Sequence, residues 1–191
     1  MKILIINGSP AQESLSKSIC EAYQEGAQQA GHQTSLLQIG KLQFDPILHE
    51  GYHVIQKLEP DLLQFQELVT WANHLVIVYP TWWGGMPAIL KGLFDRSFIS
   101  GFAYKYHEKD PFWDKLLKGR SAHIITTMDA PKLWYWLVNR AAGTNMLKHA
   151  ILKFCGISPV KSTIIGRVKY KGKEELANAI LTIKHTAAQL K

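Results

Sequence analysis

The chain has 191 residues, 47% of them hydrophobic, enough for one well-buried core and too few for two, so a single domain spanning residues 1–191 is expected. Its net charge of +7, from 22 basic against 15 acidic residues, suits attraction of an anionic dinucleotide and equally a plain solvated face, and no nucleic-acid partner is expected. The opening MKILIINGSP carries only four consecutive aliphatic residues. A signal peptide needs roughly seven or more, and a membrane span roughly 18, so a soluble cytoplasmic protein without a membrane span is the expectation.

Taken in order, Ile3 to Ile6 reads as a first strand, followed by a helical stretch from Ser16 to Ala30 that ends at Gly31. Ser35 to Ile39 is a weaker strand, and Gln43 to Glu59 lacks clear periodicity. A helix from Asp61 to Ala72 follows Pro60, then a strand from Leu75 to Tyr79 and a proline-started helix from Pro87 to Phe98. Ile99 to Gly119 is a second long aperiodic stretch, and loops of that length tend to be functional. Strands at His123 to Thr126 and Ser162 to Ile165, with helices at Asn145 to Cys155 and Lys173 to Leu190, complete the pattern. Near-continuous apolar strands alternating with helices predict an α/β fold with a five-stranded parallel sheet, order 2-1-3-4-5, and helices on both faces.

Ligands of such sheets bind beyond the carboxyl ends of the strands. Three unusual segments fall there: Asn7 to Ser16, Pro80 to Pro87 and Thr126 to Pro131. The first places Ser9, Ser14 and Ser16 at a helix start, where free amides and the helix dipole favour a phosphate. Ser14 or Ser16 serves equally as an ordinary N-cap, and neither a GxGxxG nor a GK[ST] pattern is present. The second, YPTWWGGMP, puts Trp82 and Trp83 where they can lie against a planar ring, and Gly84 and Gly85 where backbone amides can approach its polar edge. A dimer interface could use the same aromatics. The third offers the hydroxyls of Thr126 and Thr127, while Asp129 caps a helix as readily as it touches a ligand.

Eight histidines show no metal-binding spacing, and there is no GxSxG elbow. Cys20 and Cys155, without CxxC spacing, are expected to be buried and reduced.

The run YPTWWGGMPAILKGLFDRSFISGFAYKY at residues 79–106 resembles the flavodoxin-like NAD(P)H dehydrogenase (quinone) family, which includes mammalian quinone reductases and bacterial modulators of drug activity. The opening from Lys2 to Ser16, Ile125 to Thr127 and FCGI at Phe154 to Ile157 extend the likeness. The resemblance implies a flavoenzyme passing a hydride from NAD(P)H through FAD, or FMN, to a quinone-like acceptor by a ping-pong mechanism. It also implies flavin-phosphate contacts at Ser9, Ser14, Leu15 and Ser16, and ring contacts at Pro80, Thr81, Trp82, Trp83, Gly84, Gly85, Thr126 and Thr127. Tyr104 and Tyr106 match tyrosines that reach into the partner's substrate pocket in the family's homodimers.

Two departures stand out. Met128 and Asp129 replace a glycine pair, and the mammalian histidine has no counterpart near Asn139 to Asn145, leaving Tyr135 or solvent as the proton source. Two other functions are open: a flavin electron carrier, and a regulatory subunit of a potassium-efflux transporter, as some relatives are.

Overall fold

Four aliphatic residues in a row, Ile3 to Ile6, are buried on both faces of strand β1 (Lys2–Asn7), as the centre of a helix-covered parallel sheet requires. In the computed structural model, which describes residues 1–190, the chain continues through α1 (Leu15–Gln29), β2 (Gln33–Gln38), α2 (Pro60–Trp71), β3 (His74–Pro80) and α3 (Ala88–Ser97). A short hairpin of β4 (Tyr104–Tyr106) and β5 (Trp113–Lys115) leads to β6 (Ser121–Thr127). The helices α4 (Lys132–Leu137) and α5 (Ala142–Asn145), strand β7 (Val160–Ile165) and helix α6 (Lys173–Ala188) follow.

The main sheet is wholly parallel, in the order β2-β1-β3-β6-β7. With the hairpin set aside, this is the expected 2-1-3-4-5 order of a flavodoxin-like α/β fold. Strand order reverses between β1 and β3, so the loops leaving these two strands flank the reversal point.

Alternate strand residues feed two cores. Ile3, Ile5, Val76, Val78 and Ile125 face α1 and α6, meeting Ile19, Tyr23, Ala27 and Ile183. Leu4, Ile6, Leu75, Ile77 and Ile124 face α2 and α3, meeting Leu62, Phe65, Leu90 and Phe94. Each buried side chain of this size contributes about 1.5–3 kcal/mol. Cys20 and Cys155 are buried and unpaired, and burial pushes the Cys155 thiol up to about 12.

Three stretches differ from the sequence reading. Residues 99–119 carry the hairpin, whose three-residue strands are too short to show a period. Helix α4 buries only Tyr135, so it has no apolar stripe on the inner side to betray it. The expected helix at Asn145 to Cys155 is wound as a π-helix over Met146–Lys153. The stretch Gln43 to Glu59 has no helix or strand, as expected. It is clamped by Arg96 of α3, whose buried guanidinium donates to the Asp45 carbonyl, to the Lys57 carbonyl at 2.8 Å and to Glu59 at 2.9 Å.

Candidate functional site

The loops after β1, β3 and β6 are joined backbone to backbone. Gly8 N–H donates to the Val78 carbonyl at 2.7 Å, and Thr81 N–H donates to the Thr127 carbonyl at 2.7 Å. These bonds continue the sheet's ladder past its carboxyl edge, so the three loops form one rim.

In the first loop, Ser9 is buried and its hydroxyl accepts from Ala11 N–H at 3.3 Å. Ser14 is the N-cap of α1, accepting from Lys17 N–H at 3.2 Å, so the capping alternative holds for this residue. Ser16 is buried one residue inside the helix, beside half-buried Leu15. Lys17 pairs with Glu13 at 2.6 Å and lies 3.9 Å from Glu21, so its charge is already matched. What the helix start offers an anion is therefore amides, hydroxyls and the dipole of a 15-residue helix without an acidic residue in its first turn.

In the second loop, Trp82 and Gly85 exchange both backbone hydrogen bonds, each 2.9 Å, around a two-residue turn. Its central residues, Trp83 and Gly84, both take positive φ, 50° and 77°. Asn-Gly is the usual pair for such a turn, and a bulky residue in the left-handed region costs about 1–2 kcal/mol. The turn holds Trp83 fully exposed and Trp82 half exposed.

The turn is held from behind by Tyr135, expected from the sequence only as a proton source, and by Gly143 and Thr144, which sequence reasoning missed. Gly84 O accepts from Gly143 N–H at 3.2 Å and from the Tyr135 hydroxyl at 3.3 Å. Thr144 N–H donates to the Tyr135 oxygen at 3.0 Å. A Cβ on Gly143 would stand 2.3 Å from Gly84 O and 2.6 Å from Gly85 Cα, so only glycine fits. Arg140 and Ala141, which turn the chain from α4 into α5, both have positive φ as well. The signal in sequence was only the glycine of AAGTN.

The hydroxyls of Thr81 and Thr126 are buried without a hydrogen-bond partner. A buried hydroxyl left so costs about 1–3 kcal/mol. Pro80 ends β3, and Thr127 ends β6, buried.

Tyr104 and Tyr106 lie elsewhere on this chain. They pack edge-on against one another at 5.2 Å and against Phe154 at 5.2 and 6.4 Å, lining a cavity of about 330 Å³ that contains no residue of the three loops. Tyr106 is exposed, and burial raises the pKa of Tyr104.

The chain as a whole is similar to several known proteins. An NAD(P)H oxidoreductase of Haemophilus influenzae is 28% identical over 174 residues, covering 88% of this chain and 85% of its own. NAD(P)H dehydrogenase [quinone] 1 of Cavia porcellus is 31% identical over 182 residues, covering 81% of this chain and 64% of its own, so the chain spans under two thirds of that enzyme. The crystal structure of Smu.1420 from Streptococcus mutans superposes with a TM-score of 0.88 at 34% identity, covering 100% of both chains. The family model for the flavodoxin-like fold matches residues 1–187, and the chain belongs to that family.

Proposed function

We propose that this chain is a flavin-dependent NAD(P)H oxidoreductase that passes a hydride from NAD(P)H through bound flavin to a quinone or similar flat acceptor in a ping-pong cycle. The observation that carries the reading is the strained Trp82–Gly85 turn, held from behind at the rim where three loops meet. Two unpartnered threonine hydroxyls beside it, and a second loop without a carboxylate from Pro80 to Pro87, suit a neutral ring edge with acceptor atoms.

Ser9, Ser14, Leu15 and Ser16 would hold the flavin phosphate through the N-terminus of α1. Pro80, Thr81, Trp82, Trp83, Gly84 and Gly85 would line the ring, with Thr126 and Thr127 at its pyrimidine side. A flavin held there supplies the two-electron exchange that oxidation of NAD(P)H and reduction of a quinone share. Trp82 and Trp83 offer flat apolar faces that exclude water from one side of such a ring. Tyr135 holds the turn through Gly84 O, and its hydroxyl is occupied by internal partners, which favours solvent over Tyr135 as the source of the acceptor's proton.

The working unit is proposed to be a homodimer in which Tyr104 and Tyr106 of one protomer wall the acceptor pocket of the other. Exposed Tyr52, Val54, Ile55 and Tyr106, beside cavities of about 330 and 350 Å³, give that contact its apolar surface. FAD and FMN share the phosphate and ring contacts, and FAD is the first candidate from the family.

Purified protein is expected to carry or take up one flavin per chain, to oxidise NAD(P)H with a soluble quinone, and to run as a dimer in light scattering. Mass determination of the released flavin separates FAD from FMN. Tyr135→Phe is expected to leave the pH profile of turnover in place. Failure of flavin to bind at all sinks the reading.

A further inference from the structure

Helix α4 is built inside out. Of its residues and the one after it, only Tyr135 is buried, while Leu133, Trp134, Trp136, Leu137 and Val138 are each at least 56% exposed. Exposed apolar surface of this extent marks an interaction site. The helix is fixed to the Trp82–Gly85 turn through Tyr135, and that turn carries the exposed indoles of Trp82 and Trp83.

The surroundings are basic. Lys132 and Arg140 bracket the helix, and the β7–α6 connection lies against its start, with Arg167 N–H on the Ala130 carbonyl at 3.2 Å and Lys169 N–H on Asp129 at 3.0 Å. Lys132, Arg140, Arg167 and Lys169 are exposed and, among the described residues, none takes part in an ion pair. Exposed Tyr170 adds a further aromatic with a polar tip. Asp129 is the carboxylate on the α4 side of this stretch; on the α6 side Glu175 pairs with Lys171 at 3.2 Å and also feels the Arg167 charge.

Indoles and aliphatic side chains ringed by unpaired cations match the headgroup region of an anionic bilayer, where tryptophan and tyrosine sit at the interface and each lysine or arginine adds attraction. A second copy fits this patch poorly. A two-fold contact centred on this patch would bring its four cations, two of them lysines, close to those of the other protomer. We infer that α4 with the Arg167–Tyr170 turn docks this protein on anionic membrane surfaces, presenting the rim beside it to an acceptor dissolved in lipid. The docking stands by itself, while the acceptor class rests on the oxidoreductase reading above.

Flotation with vesicles tests the docking. At low salt the protein is expected to float with phosphatidylglycerol/phosphatidylcholine vesicles, to stay down with phosphatidylcholine alone, and to be released by 0.5 M salt. Trp134→Ser with Trp136→Ser, and separately Arg167→Glu with Lys169→Glu, are each expected to weaken flotation at least ten-fold. Quenching of wild-type tryptophan fluorescence by brominated anionic lipid reports the same contact without any variant. Absent flotation and absent quenching overturn the docking. So does a tryptophan double variant that floats normally, or one whose only change is a halved native mass, which would mark the patch as a contact between copies. The acceptor is tested apart: the tryptophan variant is expected to keep its rate with a soluble quinone and lose it with a prenylated quinone in vesicles. A wild type that floats but reduces neither quinone keeps the docking and ends the acceptor reading.

Discussion

The two ends of the same strands are built by opposite rules. At the amino ends of β3 and β6 the buried polar side chains are partnered: His74 bonds the Tyr23 hydroxyl at 3.3 Å and the Ser121 hydroxyl at 2.7 Å, and His123 bonds Thr163 at 2.8 Å. At the carboxyl ends, Thr81 and Thr126 lack partners, and three non-glycine residues, Trp83, Arg140 and Ala141, sit in the left-handed region around one turn. Completeness at one end is what stability asks for. Strain and unmet hydrogen bonds at the other persist because the surrounding fold over-determines them, and they cluster where a ligand completes the structure.

The largest expected effect on ligand binding breaks the carboxyl end alone. Ser14→Asp keeps a good N-cap and so leaves the fold intact, but it sets a negative charge at the proposed phosphate position. At a partly exposed site such a repulsion is on the order of 2–4 kcal/mol. Flavin affinity, followed by fluorescence quenching, is expected to fall at least thirty-fold with an unchanged melting temperature. Unchanged affinity would place the phosphate elsewhere.

Acid breaks the amino end. Burial lowers both His74 and His123 to about 4, with nearby positive charge adding to the effect. The folded pKa lies below the unfolded value of about 6.5, so above pH 6.5 neither state gains protons and nothing is lost. As pH falls from 6.5 toward 4, the unfolded chain takes up protons that the folded one refuses. Stability then drops by on the order of 3 kcal/mol per histidine. Urea denaturation across that window reads the loss, and His123→Phe is expected to flatten it by about half.

A smaller effect sharpens the contrast. Gly143→Ala places a methyl 2.3 Å from Gly84 O, and overpacking of this kind costs about 1–3 kcal/mol. The turn moves, so flavin affinity is expected to fall about ten-fold or more while the histidine-linked acid profile is retained. A variant with normal affinity would mean the turn is not held by α5.

The amino end and the sheet were readable because their signals are local and periodic. Ile3 to Ile6 and Leu75 to Tyr79 are unbroken apolar runs, and Pro60 and Gly31 mark helix ends where the structure has them. The second loop stood out because two tryptophans and two glycines after a buried strand have no use in a core. The support behind it did not. Tyr135 and Gly143 act through single contacts to Gly84 across more than 50 residues, with Thr144 holding the Tyr135 hydroxyl, and no period encodes such a contact. Helix α4 escaped for the opposite reason, since its apolar residues face outward. The Arg96 clamp was hidden too, because one arginine in an amphipathic helix looks like any solvated charge.

The most direct test of this account is the change in stability caused by Thr126→Val, measured by denaturation with and without saturating flavin. Without flavin the variant is expected to be as stable as the wild type or about 1 kcal/mol more so, because it removes a buried hydroxyl that has no partner. With flavin it is expected to gain less than the wild type does, while Thr163→Val, which strips His123 of its partner, is expected to lose about 1 kcal/mol in both conditions. If Thr126→Val instead destabilises the flavin-free protein as Thr163→Val does, and flavin stabilises it as much as the wild type, then the carboxyl end is complete by itself and is not built around a cofactor.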